Sequence, residues 1–384
     1  MNPPNNKVHC IFMIAGEASG DLHGANLVKA LKGKEQNIIF SGIGGKAMQD
    51  AGVRIVVDAA TLSVVGITEV FSKRPGILSG MAAAKSFLKN SRPDLLILID
   101  FPDFNLRIAA FAKKLNIPVL FYISPQIWAW RSERVTKIGR LVDHIAVILP
   151  FEASFYRKHH IPVTFVGHPL LDEFRDPLPS PMPPFQDSPP VIGLLPGSRE
   201  SEISRHLPVM LQAARILSAQ MDIRFVVSMA PGAPHEAIKD LCRPFQNELH
   251  LDIDPDGARS VFAKTHLVVA ASGTVTLEAA IAGIPVIIIY KVSPLSYRLG
   301  KAMIKVKNIG LVNLIAEREI VPELIQDRAS PELIAETVMK LVNTPSALDN
   351  IRHAFADVRN RLGGPGASAR VADIALNMLK GNRQ

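Results

Sequence analysis

The chain has 384 residues, of which 48% are hydrophobic and 20% charged, and a formal net charge of +8. That length buries large cores and implies two domains, while the apolar content excludes general disorder. Cys10 and Cys242 stand far apart with no C-x-x-C, so the chain is neither a disulfide framework nor a zinc-stapled module, and both thiols read as buried in a reducing compartment. Basicity points to nucleic acid, an anionic membrane or phosphorylated substrates. The excess is uneven, since residues 1–175 hold 21 Lys/Arg against 14 Asp/Glu and residues 176–384 hold 22 against 21.

Short apolar runs alternate with helix-length segments in both halves, the pattern of parallel sheets covered by helices. Strands are predicted near 8–15, 37–42, 95–99, 117–123, 144–148 and 163–166, with helices near 21–32, 76–90, 104–115, 131–141 and 151–159. Pro177 to Pro190 then holds seven prolines in 14 residues, a stiff extended connector. Beyond it, strands are predicted near 191–195, 223–229, 266–271 and 285–290. Helices belong near 200–220, 234–246, 257–264, 274–282, 331–343, 346–361 and 366–380. The expected class is α/β, with two doubly wound Rossmann-like domains facing across a cleft and chemistry in the loops beyond the strands' carboxyl ends. Domain bounds are expected at 1–176, a linker at 177–190, a second domain at 191–350, and final helices at 351–384, which the sequence leaves open either to stay with the second domain or to pack back on the first. No run reaches the roughly 20 apolar residues of a membrane-spanning helix. Val8 to Ala15 reads as a buried strand rather than a signal peptide, so a cytoplasmic chain is expected.

Five loops carry polar groups after strands. In Ala15-Gly-Glu-Ala-Ser-Gly-Asp-Leu-His-Gly24, Glu17 and Asp21 would repel a diphosphate and G-K-[ST] is missing, so sugar hydroxyls suit the loop better. Helix capping by Ser19 or Asp21 is the plain alternative. Asp100 follows the strand 95–99 and is held outside the next helix by Pro102, while Asp103 is expected to cap that helix. Two carboxylates near Phe101 and Phe104 raise one pKa and make Asp100 a candidate general base. Both tryptophans, Trp128 and Trp130, fall in Ser124-Pro-Gln-Ile-Trp-Ala-Trp-Arg131, where they stack on a sugar, meet a lipid interface or pack in the core. In the second half, Leu194-Leu-Pro-Gly-Ser-Arg-Glu200 and Ala271-Ser-Gly-Thr-Val-Thr-Leu-Glu278 both turn from a strand into a helix. Free amides, Arg199 and Glu278 together suit a nucleotide diphosphate. Asp252 to Gly257 opens like a calcium loop, but Ala263 stands where the closing carboxylate belongs. No metal site emerges.

These segments together resemble one family, lipid-A-disaccharide synthase, an inverting glycosyltransferase with the GT-B fold. The matching stretches are Gly16-Glu-Ala-Ser-Gly-Asp21, Ser124 to Arg131, Pro150-Phe-Glu152, Val166-Gly-His-Pro169, Leu195-Pro-Gly-Ser-Arg199, Ser272-Gly-Thr274 with Glu278, and Asn313-Leu314. They cover essentially the whole chain, and Ser-Pro-x-x-Trp-Ala-Trp-Arg is the most specific. The resemblance implies transfer of 2,3-diacylglucosamine from UDP-2,3-diacylglucosamine to 2,3-diacylglucosamine 1-phosphate. The products are a β-1,6-linked disaccharide 1-phosphate and UDP, and no cofactor or metal is required. It implies Asp100 as base and Glu17, Ser19, Trp128, Trp130 and Arg131 on the acceptor side. Arg199, Ser272, Gly273, Thr274, Glu278 and Asn313 fall on the UDP side. Val312 stands where many relatives have proline.

The same resemblance implies a Gram-negative source, a peripheral place at the inner membrane and enzymes that can pair as homodimers. An apolar entrance is expected over residues 61–90, with Val64, Phe71, Lys73, Arg74 and Leu78 facing anionic lipid. A core helix with charged flanks is the competing account. A UDP-sugar 2-epimerase of the same architecture and a non-catalytic nucleotide-sugar or lipid-binding protein are the rival functions. Nucleic-acid binding has only charge behind it.

Overall fold

The computed structural model describes residues 7–62, 74–130, 134–174, 188–293, 297 and 308–381, leaving out the side chains of 74, 75, 129 and 130. The chain forms two compact units, one of Met1–Asp172 with Leu362–Gln384 and one of Glu173–Arg361. The proline-rich connector lies outside the described residues except for 188–190.

The first unit runs β1 (His9–Ala15), α1 (Ala18–Lys34), β2 (Ile38–Gly44), α2 (Lys46–Asp50), β3 (Arg54–Asp58), α3 (Arg74–Ser91), β4 (Leu95–Ile99) and α4 (Pro102–Lys114). It continues with β5 (Val119–Tyr122), α5 (Ile127–Trp130), α6 (Val135–Leu141), β6 (His144–Val147), α7 (Pro150–Arg157) and β7 (Val163–Phe165). Its seven strands are ordered β3-β2-β1-β4-β5-β6-β7, all parallel. The period-two alternation of a strand divides β1 and β4 between two cores. Phe12, Ile14, Leu96 and Leu98 enter one, and Ile11, Met13, Leu95 and Ile97 the other. Both faces are covered, which is why these strands read as continuous apolar runs.

The second unit contains β8 (Val191–Leu195), α8 (Glu200–Ser218), β9 (Arg224–Ser228), α9 (His235–Cys242), β10 (Leu251–Asp254), α10 (Ala258–Ala263), β11 (Leu267–Ala271) and α11 (Thr274–Ala282). Then come β12 (Val286–Tyr290), α12 (Leu311–Ala316), β13 (Glu323–Ile325), α13 (Pro331–Val342) and α14 (Pro345–Arg361). Its parallel strands are ordered β10-β9-β8-β11-β12-β13. The last helix, α15 (Ala367–Gly381), belongs to the first unit. Val371, Ala372, Ala375 and Leu379 join the core that holds Leu27 and Leu31 of α1.

The chain re-enters the first unit at Leu362, so of the final helices α14 stays wholly with the second unit and α15 returns to the first. Arg370 secures this return by donating to Val166 O at 2.8 Å, Pro365 O at 2.9 Å and Gly364 O at 2.6 Å. The His168 amide bonds Leu362 O at 3.0 Å. Three strands escape the sequence reading, β3, β10 and β13, and all three lie at sheet edges. Helix α1 begins at Ala18, three residues before its expected start.

Candidate active site

In the first unit the polar loops gather at the carboxyl ends of neighbouring strands, where the order β1-β4 marks the topological switch point. Asp100 and Phe101 leave β4 with φ of 46° and 48°, a left-handed pair that costs conformational energy in non-glycine residues. Asn105, fully buried, holds this turn by donating from Nδ2 to Asp100 O at 2.6 Å and Ile99 O at 3.3 Å. The Phe101 ring lies so close to Gly16 that a Cβ there would sit 2.3 Å from it. Glycine is therefore required where the first loop approaches Asp100. Burial raises the Asp100 carboxyl to about 6, Glu17 adds to the rise, and the Phe101 amide opposes it. The turn thus presents a partly shielded carboxylate beside a second one, with Glu17 and Ser19 exposed at the start of α1.

Asp21 caps no part of its own helix. Its carboxylate accepts from Gly45 N at 2.7 Å, Ala47 N at 2.9 Å and Met48 N at 3.2 Å, securing the start of α2. Asp103 is not the cap of α4 either. The helix begins at Pro102 behind Phe101, and Asp103 pairs with Arg134 at 3.1 Å.

After β5, Ile123 has φ of 60°, a strained value for a β-branched residue. Half-buried Trp128 packs edge-on against Phe151, with ring centroids 4.7 Å apart. Its indole N–H donates to Glu152 Oε1 at 3.1 Å. Arg131 and the side chain of Trp130 lie outside the described residues, as do Val64, Phe71, Lys73 and the side chain of Arg74. On α3, Met81 is core and Ile77 packs against it, so the apolar stretch is partly interior. Among the named lipid-facing residues only Leu78 has a described side chain, and it is 63% exposed.

In the second unit, a cavity of about 540 Å³ is lined by Gly197, Ser198, Arg199, Arg259, Ser272, Gly273, Thr274 and Glu278, among others. The first turn of α11 opens with amides that no intrahelical carbonyl can satisfy, and its dipole favours an anion there. Gly197 has φ of +114°, and a Cβ there would meet Glu202 Oε2 at 2.5 Å. That carboxylate accepts from Ser198 N at 3.1 Å and Arg199 N at 3.3 Å, while Arg199 Nη1 donates to Glu202 Oε1 at 3.0 Å. Burial raises the Glu278 carboxyl, Glu173 adds to it, and Arg259 pulls it back.

Asn313 does not line the cavity. It is fully buried, with Nδ2 bound to Val321 O at 2.9 Å and Glu323 Oε1 at 2.8 Å, and Oδ1 accepting from Ile320 N and Val321 N. Both ends of its amide are spent on the loop before β13 and on Glu323 at that strand's start. Arg259 is the residue that sequence reasoning missed. Its guanidinium lies 4.1 Å from the centroid of Phe174 and bonds Glu173 at 3.4 Å, which fixes a second cation on the cavity wall. Its only sequence signal is its place at the start of a helix after the Asp-Gly turn. Asn105 was likewise passed over, being a mid-segment amide with no motif spacing.

Two parallel, doubly wound Rossmann-like domains define the GT-B class of fold. Solved structures share it at low identity. The glycotransferase of kitacinnamycin matches with a TM-score of 0.64 at 14% identity, covering 97% of this chain and 100% of that one. UDP-GlcNAc 2-epimerase from Neisseria meningitidis, bound to UDP-GlcNAc, matches with a TM-score of 0.63 at 15% identity, covering 96% and 100%. At the sequence level, the model of the lipid-A-disaccharide synthetase family matches residues 11–376. The chain is 46% identical over 383 residues to the lipid-A-disaccharide synthase of Syntrophus aciditrophicus (strain SB), covering 96% of this chain and 98% of that protein. It is 40% identical over 377 residues to that of Coxiella burnetii (strain Dugway 5J108-111), covering 96% and 98%. The chain belongs to the lipid-A-disaccharide synthetase family and is an enzyme, a glycosyltransferase of lipid A biosynthesis.

Proposed function

We propose that the chain moves 2,3-diacylglucosamine from its UDP derivative to 2,3-diacylglucosamine 1-phosphate, with Asp100 as the base. The observation that carries this reading is the Asp100 turn: a strained, braced carboxylate whose pKa, about 6, suits a base near neutrality. Asp100 takes the proton from the acceptor 6-hydroxyl as its oxygen attacks the anomeric carbon. The bond to the UDP oxygen breaks on the opposite face, giving a β-1,6 linkage and UDP. The departing diphosphate lies in the second-unit cavity against the opening amides of α11, Arg199 and Arg259. Glu278 accepts from a hydroxyl of the donor. Glu17 and Ser19 meet acceptor hydroxyls, with Trp128, Trp130 and Arg131 on the same side.

The acylated substrates call for a peripheral place on an anionic membrane surface. Among the described residues no helix is long and apolar enough to cross a membrane, and exposed Leu78 supports a lipid-facing edge. Incubating the protein with both substrates and detecting disaccharide 1-phosphate and UDP by mass spectrometry tests the reaction. Release of UDP without disaccharide would count against it.

A further inference from the structure

We propose that Glu152 is a positioning residue for acceptor binding: its buried carboxylate clasps the segment from Ser124 to Trp128 and holds the Trp128 ring in place. The inference rests on the reading above that this segment faces the acceptor.

Glu152 is only 1% exposed. Oε1 accepts from Trp128 Nε1 at 3.1 Å and Ser124 Oγ at 3.4 Å, and Oε2 from Leu149 N at 3.0 Å. The Ile148 amide also faces the carboxyl. Indole and amide N–H groups can only donate, so each Glu152 oxygen serves them as an acceptor, a role the carboxylate fills without a proton competing for the same space. Burial raises the Glu152 pKa to about 7, and these four donors pull against that rise. The Tyr156 phenol, also buried, is the other titratable group coupled to it. Capping α7 alone does not call for a buried acid, because exposed Ser, Thr or Asp at the N-cap does that work. The additional partners are Trp128 and Ser124, one strand away on the β5 loop. Ile123, immediately before Ser124, holds a strained φ of 60°, and such a conformation persists only where surrounding contacts over-determine it. Phe151, adjacent to Glu152, packs on Trp128 from the side. Ring contact and hydrogen bond thus arrive from one helical turn and fix both the position and the tilt of the indole.

The test uses a Trp130→Phe background, in which Trp128 is the sole indole, with all rates compared within that background. Glu152→Gln should shift Trp128 emission to longer wavelength and raise acrylamide quenching about twofold or more. It should also lower kcat/KM for the acceptor at least tenfold while UDP affinity stays within twofold. Trp128→Phe keeps an aromatic ring in place of the indole and removes the N–H, and should lower acceptor kcat/KM in the same direction. If Glu152→Gln does not fold, Ser124→Ala removes one donor, leaves the helix cap, and should give a smaller shift of the same sign. Unchanged emission and quenching in the folded variant would overturn the clasp. A red shift with unchanged acceptor kinetics would overturn the role in acceptor binding and the placement of this segment, while the reaction assay still stands or falls separately.

Discussion

At the scale of single residues, Asp100 joins conformational strain to a displaced ionisation. A carboxylate with a folded pKa of about 6 is protonated below that value and cannot accept the acceptor proton. Acceptor kcat/KM should therefore rise about tenfold per pH unit up to about 6 and level off above it. A flat profile from pH 5 to 8 would remove Asp100 from the role. Asp100→Asn should lower turnover by about 10²–10⁴ while UDP affinity, read by calorimetry, is preserved. The same shift affects stability. Between the ordinary carboxylate value and about 6 the folded chain binds more protons at this site than the unfolded chain, so stability falls as pH rises through that window. The asparagine variant lacks this term, and its melting temperature should gain on the parent protein from pH 4 to 7. Asn105 shows the other side of residue-level design, with one buried amide bonding two carbonyls of the strained turn.

Elements show why part of the molecule was legible in its sequence. Strands such as β4, buried at every position, announce themselves as unbroken apolar runs between turns. The edge strands do not. Arg54–Asp58 alternates exposed and half-buried residues, and Leu251–Asp254 carries two aspartates. Their pairing comes from a neighbour that already exists rather than from their own apolarity. Loop positions after strands were legible for Asp100, Arg199 and the 272–274 turn. The partners of individual polar groups were not, as Asn313, Asp21 and Asp103 show, because distant residues satisfy or compete for them. His206 is a further case on α8. Nδ1 bonds Pro196 O at 3.0 Å, and Nε2 accepts from Lys291 N at 3.0 Å. This neutral imidazole ties the loop after β8 to the loop after β12, and burial lowers its pKa. His206→Ala strands a buried carbonyl and an amide, so it should cost about 1–3 kcal/mol in denaturant unfolding. It should also weaken UDP binding severalfold, because the loop carrying Arg199 loses its brace. Unaltered UDP affinity in the destabilised protein would show that the brace does not serve the ligand.

Across the whole molecule, charge follows the division into units more sharply than it follows halves of the sequence. The first unit, with its returning segment 362–384, carries 23 Lys/Arg against 14 Asp/Glu, and the second 20 against 21. The net excess is thus +9 in one unit and −1 in the other. A soluble diphosphate bound by helix amides and one or two arginines needs no such background field, which accords with the neutral second unit. A phosphorylated lipid acceptor on an anionic surface does benefit, since each basic residue near such a surface contributes about 1 kcal/mol within a Debye length. The protein should float with vesicles containing about 30% anionic lipid, detach as salt is raised toward 0.5 M, and ignore neutral vesicles. Replacing Val64, Phe71 and Leu78 together with serine should reduce flotation at high salt more than at low salt, because apolar insertion is unscreened while charge attraction is not. Undiminished binding of that variant would assign the contact to charge alone, and equal binding to neutral vesicles would show that the first unit's net charge of +9 does not direct it.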